Sequence, residues 1–277
     1  VVDDVTMNLN VFVNLLKETG IQVDTVASGR KSLELVQEKK YDLIFMDHMM
    51  PDMDGIETLR TMRNLEGNRN RETPVIMLTA NVQSGIREMY REEGFCEYLS
   101  KPIRGSMLKE MILRYLPADK VRILEPEKEK EQPAAKENEK QSLETEAKME
   151  AGTPEKDGAP EGVLAVLQKR IPGMNIEAGL LYCGEDEEFY RQMLREYSCN
   201  GRIDRLREMY ARESFRQYQI EVHALKSTSK TLGLTALGEL AAAQEQDLKS
   251  GRMEEVHQRH PELIAELQKI LDILDKF

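Results

Sequence analysis

Leu43-Ile44-Phe45-Met46-Asp47-His48-Met49-Met50-Pro51-Asp52-Met53-Asp54-Gly55 decides the reading of the first half of this chain. An apolar run of strand length ends on a carboxylate. A turn containing Pro51 follows, and Gly55 opens a helix. A strand that stops on an acid places it at the carboxyl edge of a sheet, where open α/β sheets bind their ligands.

Three other strand-like runs end in the same way. Val1-Val2 leads into Asp3-Asp4, Val75-Ile76-Met77-Leu78 into Thr79, and Cys96-Glu97-Tyr98-Leu99-Ser100 into Lys101-Pro102. Helical periodicity over 7–18, 30–38, 56–64, 85–93 and 106–116, with a further strand over 21–26, gives five strands alternating with five helices. That order predicts a doubly wound parallel sheet, flavodoxin-like, whose strand ends bring acid, acid, hydroxyl and amine to one crevice.

These residues resemble the receiver domain of two-component response regulators. The match rests on Asp3-Asp4, Asp47 with Met50-Pro51-Asp52-Met53-Asp54-Gly55, Thr79-Ala80 and Lys101-Pro102, and covers residues 1–117. The resemblance implies that Asp47 is the phosphoacceptor and that Asp4, Asp47 and the Met49 backbone carbonyl are direct ligands of Mg²⁺. Asp3 would ligate the ion directly or through water. Crowded carboxylates need such a counter-charge, and Mg²⁺ prefers hard oxygen ligands. Lys101 would offset charge on the phosphoryl oxygens, and Thr79 and Tyr98 would form a two-state switch. Only two residues precede Asp3, so the chain is expected to be cut from a longer one.

Residues 118–160 are rich in Glu, Lys, Ala and Pro and too poor in apolar positions to form a core. They read as a charged flexible linker, with a coil span of roughly 35–40 Å r.m.s.. Residues 161–277 read as all-helical, with candidates at 163–170, 175–183, 186–199, 201–212, 214–232, 235–250 and 253–276. The short, often Gly-containing connections predict an antiparallel bundle.

Inside that bundle lies His223-Ala224-Leu225-Lys226-Ser227-Thr228-Ser229-Lys230-Thr231-Leu232-Gly233. Val222, Leu225, Ser229 and Leu232 follow the core spacing. Gln219, His223, Lys226, Ser227 and Lys230 therefore fall on the other face, expected to meet solvent. The segment resembles the histidine phosphotransfer (HPt) domain, whose motif is His-x-Leu-Lys-Gly. Ser227 stands where that motif has glycine. The resemblance implies that His223 carries the phosphoryl group on a ring nitrogen, Nε2, and that Lys226 assists. His48, His257 and His260 read as ordinary histidines, the last two on a solvated face.

The formal net charge is −11 and no segment is basic, which gives nucleic-acid binding no electrostatic support. No apolar run reaches membrane-spanning length. Cys96, Cys183 and Cys199 are too scattered for a zinc site or a disulfide framework and fit a reducing, cytoplasmic setting. There is no Gly-rich ATP lid or kinase Asn box in this stretch, so autophosphorylation from ATP is not expected of it. The expected role is phosphorelay signalling, as the C-terminal part of a hybrid sensor histidine kinase. The partners would then be an upstream histidine kinase core and a downstream receiver domain. A free-standing receiver–HPt adaptor and an interaction scaffold are the alternatives.

Overall fold

The structure, a computed structural model, describes residues 1–80, 86–122 and 163–277. Most of the linker expected at 118–160 lies outside the described residues. The first part contains α1 (Thr6–Leu16), α2 (Gly29–Glu38), β1 (Ile44–Asp47), α3 (Gly55–Asn64), β2 (Val75–Thr79), α4 (Ile86–Glu92), β3 (Glu97–Ser100) and α5 (Gly105–Tyr115). The strands pair in parallel in the order β1-β2-β3.

Two of the five expected strands shrink to single residues. Val2 bridges in parallel to Val26 on one side and to Met46 on the other, which continues the sheet beyond β1. Only Val26 of the run 21–26 pairs. That run alternates Gln22 and Asp24 with its apolar residues, which suits a sheet edge rather than a fully covered strand.

Both faces of β1 and β2 are covered. Phe45, Ile76, Leu78 and Leu99 pack into one apolar cluster with Phe12, Leu15, Leu16 and Leu108. Ile44, Met46, Val75 and Met77 pack into another with Val36, Leu59 and Met62. The alternation follows from the pleat, and the helices of a parallel crossover sheet cover each side.

The second part is seven helices: α6 (Val163–Arg170), α7 (Ile176–Tyr182), α8 (Glu187–Ser198), α9 (Arg202–Ala211), α10 (Phe215–Thr231), α11 (Thr235–Lys249) and α12 (Met253–Leu274). Asn175 caps α7 by accepting from the Ala178 N–H, and Asp186 caps α8 by accepting from that of Phe189. Gly233 ends α10 at φ +73, and a Cβ there would come within 2.0 Å of the Asn175 carbonyl oxygen. Only glycine allows α7 and α10 to meet this closely. α10 packs against α9 and α11, and α11 against α12. Among the described residues, no helix is long and apolar enough to cross a membrane.

Candidate functional site

The strand ends converge as the topology requires. Carboxylate oxygens of Asp3, Asp4 and Asp47 lie within 4.8 Å of one another. The Lys101 ammonium contacts Asp3 Oδ2 and Asp47 Oδ1, each at 2.6 Å, with its side chain 3% exposed. Asp3 Oδ1 also accepts from the Val5 N–H and from Asn8 Nδ2, and Asp47 Oδ1 accepts from the His48 N–H. Gly55 makes this corner possible, because a Cβ there would come within 2.3 Å of the Asp47 carbonyl oxygen. Met49 is half-buried in the turn, and Lys101 enters a cis peptide bond with Pro102.

One lysine does not balance three acids in a dry site. Burial pushes the Asp47 carboxyl up to about 8 against the pull of Lys101, with Asp3 adding to the rise. The Asp4 carboxyl rises to about 7 through burial and the charge of Asp3. Burial alone would lower Lys101, but Asp3 and Asp47 outweigh it and keep the ammonium charged. An all-oxygen cluster short of positive charge suits a hard divalent cation.

Thr79 ends β2 fully buried and accepts from the Tyr90 hydroxyl at 3.1 Å. The same hydroxyl meets His48 Nδ1 at 3.0 Å, and the Tyr90 ring lies 6.3 Å from that of Tyr98, which is half-buried on β3. Tyr90 thus joins the two expected switch residues. Its place in an amphipathic helix gave no separate signal in the sequence.

The second site differs from its expectation. His223 is 6% exposed, Lys226 7% and Ser227 3%, so the middle of this face is covered, while Lys230 is exposed as expected and Gln219 half-buried. His223 Nδ1 lies 2.8 Å from Glu245 Oε1 on α11. Lys226 Nζ does not reach toward the acid cluster but donates to Glu245 Oε2 at 2.5 Å, and Lys249 contacts Oε1 at the same distance. Burial alone would raise the Glu245 carboxyl, but the bond to His223 and the Lys226 ammonium overcome it and hold the group ionised. Burial lowers the His223 imidazole to about 4, against the opposing pull of Glu245 and with the help of Lys226 and Lys101. The ring is therefore neutral near pH 7. Glu245 fixes the tautomer with the proton on Nδ1, and Nε2, buried and without a partner among the described residues, keeps its lone pair.

The two sites belong to one docked arrangement. Asn10, Asn14 and Lys17 form one stripe of α1. Asn10 donates to Glu196 of α8, Asn14 to the Cys183 carbonyl, and Lys17 to Asp186 at 2.5 Å. Leu15, Leu16, Cys183 and Tyr190 share one apolar cluster. The charge of Lys101 acts on His223, that of Glu221 on Asp4, and those of Lys249 and Glu245 on His48. Such effects weaken with distance, so the His223 side of α10 faces the receiver on the side of the acid cluster.

Comparison with known proteins agrees with this division. The family model of the response regulator receiver domain matches residues 1–113, and that of the Hpt domain matches residues 190–276. The chain carries a receiver domain followed by an Hpt domain. It is 36% identical over 128 residues to the signal transduction histidine-protein kinase BarA of Escherichia coli, an alignment covering 46% of this chain and 14% of that protein. To the sensor protein GacS of Pseudomonas syringae it is 33% identical over 115 residues, 41% of this chain and 13% of the relative. The chain thus spans about one seventh of the relatives it matches. Among solved structures, the receiver domain of the sensor histidine kinase PA1611 of Pseudomonas aeruginosa, with magnesium coordinated in its active-site cleft, is 33% identical. That alignment covers 41% of this chain and 92% of the other, with a TM-score of 0.38. Receiver and Hpt domains together, in a relative of hybrid kinases, support phosphorelay signalling.

Glu245 and Asn8 are functional candidates that the motifs did not reveal. Glu245 lies 22 residues beyond His223 on another helix, outside any local spacing rule. His260 is a further correction: it is 8% exposed, and Nδ1 meets the Tyr218 hydroxyl at 2.7 Å. His257 is exposed, as expected.

Proposed function

We propose that Asp47 and His223 exchange a phosphoryl group directly within one chain, which forms the relay end of a hybrid sensor histidine kinase. The observation that supports this reading is the buried Nε2 of His223, unpartnered among the described residues, on a helix face near enough to the crevice for the Lys101 charge to act on it.

Mg²⁺ would be held by Asp3, Asp4, Asp47 and the Met49 carbonyl, and would supply charge compensation at the phosphoryl oxygens. The Asp47 carboxylate oxygen attacks phosphorus of an upstream phosphohistidine, forming an acyl phosphate as the donor P–N bond breaks. Lys101 neutralises phosphoryl charge in the dry crevice, where little covalent work remains beyond positioning and electrostatics. His223 Nε2 then attacks phosphorus. The P–O bond to Asp47 breaks, its electron pair returns to the carboxylate, and Nδ1 keeps its proton in the bond to Glu245. Every proton and electron pair is accounted for, and no general base is needed. A downstream receiver takes the group from His223 in the same manner. The domain limits that fit this scheme are 1–117 for the receiver, 118–160 for the tether and 161–277 for the HPt bundle, in a cytoplasmic setting. The Thr79–Tyr90–Tyr98 contacts would pass the state of Asp47 to the surface.

A mixing experiment tests the in-chain route. An Asp47→Asn chain, carrying only the histidine, is combined at low concentration with a His223→Gln chain prephosphorylated on Asp47. The intact chain should transfer at a rate independent of dilution, because a tether sets an effective concentration on the order of millimolar. The dilute mixture should be far slower. Equal rates would show that His223 is served by other chains. No alkali-stable histidine phosphate in either would end the reading.

A further inference from the structure

Two polar atoms on the same face of α10 are buried and, among the described residues, without a partner: His223 Nε2 and Ser227 Oγ. They stand four residues apart, one above the other on the helix. The Nε2 is explained by the reading given above. The hydroxyl is not.

A serine inside a helix ordinarily turns its hydroxyl back onto the carbonyl of the preceding turn. The neighbouring hydroxyls satisfy themselves. Thr228 Oγ1 donates to the Ala224 carbonyl at 2.8 Å, Thr231 Oγ1 to the Ser227 carbonyl at 3.0 Å, and Ser229 Oγ pairs with the Tyr197 hydroxyl at 2.9 Å. Ser227 is 3% exposed, so water does not stand in for a partner. A buried hydroxyl left without a partner costs free energy, and alanine would avoid that cost. Lys226, the side chain expected to assist His223, is committed to Glu245. Ser227 lies one turn from His223, on which the Lys101 charge acts.

We propose that the Ser227 hydroxyl is a phosphoryl-binding group of the transfer site. It donates to a phosphoryl oxygen while the group passes between Asp47 and His223 Nε2, and remains on that oxygen in the phosphohistidine. The inference deepens the in-chain transfer reading and rests on it. Ser227 forms no covalent bond and loses no proton. The P–O bond to Asp47 breaks and the P–N bond to His223 forms, as before.

The test uses the full chain, loaded on Asp47 with acetyl phosphate and Mg²⁺, freed of donor, and followed as hydroxylamine-labile phosphate becomes alkali-stable. Ser227→Ala should slow this conversion about tenfold, the loss of one charge-assisted hydrogen bond. Its thermal midpoint should stay level or rise, because alanine favours helix and leaves no orphaned hydroxyl. Ser227→Thr, which keeps a hydroxyl, should recover most of the rate. A purely structural serine would not give slow transfer in a fold of unchanged stability. Transfer in Ser227→Ala as fast as in the parent, or faster, overturns the inference, as does a Ser227→Thr chain no faster than Ser227→Ala. If the parent chain itself forms no alkali-stable phosphate, the in-chain reading fails and the inference with it. Normal transfer in the parent and in Ser227→Ala removes the inference alone.

Discussion

Asp47 and His223 are both almost fully buried, yet different kinds of element hold them. Asp47 ends a four-residue strand, and the groups around it, Asp3, Thr79 and Lys101, sit at or just past the ends of neighbouring strands. The parallel topology brings these positions together, so the site is fixed by where each residue stands along its strand. His223 sits in the middle of a helix. Its partner Glu245 comes from the next helix, and Lys226 and Lys249 hold that carboxylate in place. That site exists only because α10 and α11 pack in one register. Burial favours the neutral form at both sites: it raises Asp47, with Asp3 adding to the rise, and lowers His223, with Lys226 and Lys101 adding to the fall.

The largest expected effects come from removing either acceptor. Asp47→Asn should abolish the hydroxylamine-labile phosphate formed from acetyl phosphate, and His223→Gln should abolish only the alkali-stable one. Phosphate-affinity electrophoresis after differential quenching reads both. A labile phosphate persisting in Asp47→Asn would move the acceptor elsewhere in the cluster. Asp4→Ala should weaken Mg²⁺ binding, whereas Lys101→Ala should spare binding and impair phosphorylation, as titration of Mg²⁺ with each variant would show.

Glu245 is the next step down. Glu245→Ala frees the Nδ1 tautomer and leaves Lys226 and Lys249 facing each other, so transfer to His223 should slow by about 10–100-fold. Glu245→Gln keeps an acceptor for Nδ1 and should lose less. Loading of Asp47 should be normal in both, which separates the two sites. Equal transfer in Glu245→Ala and the parent would remove Glu245 from the mechanism.

This difference in construction explains what the sequence made legible. Asp3, Asp4, Asp47, Thr79 and Lys101 were readable because each follows an apolar run. The seven helices of 163–277 were readable because Asn175, Asp186 and Gly201 stand at starts and Gly184, Gly233 and Gly251 just past ends. The wet face assigned to His223 was wrong for a physical reason. Helical periodicity separates an apolar face from a polar one, but a polar face can still be covered by charged side chains from elsewhere. Here Glu245 of α11 covers it, paired with His223, Lys226 and Lys249. The run 21–26 misled for a related reason: alternation predicts strand geometry but not whether a neighbour is there to pair.

His260 sharpens the contrast between a working histidine and a packed one. Its ring stacks on Tyr210 at 3.6 Å, and Gln244 donates to the Tyr218 hydroxyl that meets His260 Nδ1. Burial lowers its imidazole to about 4, with the charges of Arg207 and His257 adding to the fall. A folded-state value below the unfolded one, about 6.5, favours the fold while the ring is neutral. That contribution is complete above the unfolded value and is lost as pH falls from there through the folded value. Thermal or denaturant unfolding should therefore show the parent losing about 1–2 kcal/mol more than His260→Gln between pH 7 and pH 5. Parallel curves for the two proteins would show that the ring protonates freely in the fold.

The smallest expected effect bears on whether the two sites meet as the docked structure has them. Lys17 and Asp186 form an ion pair between side chains 44% and 27% exposed, the class of contact worth at most about 1 kcal/mol. Exchanging both charges would not isolate it, because Asp186 also caps α8 through the Phe189 N–H. Lys17 can be changed alone. Lys17→Ala should slow in-chain transfer only a few-fold, and Lys17→Glu, which sets like charges together, somewhat more. Neither should change loading of Asp47 by acetyl phosphate, since Lys17 lies at the far end of α1 from the acid cluster. Added salt should slow the parent toward the Lys17→Ala rate and leave Lys17→Ala nearly unchanged, because screening removes an attraction that this variant lacks. If Lys17→Glu transfers at the parent rate at low salt, and Asn14→Ala does the same, the α1–α8 contact is not the arrangement in which phosphate moves. The mixing experiment would then have to find another.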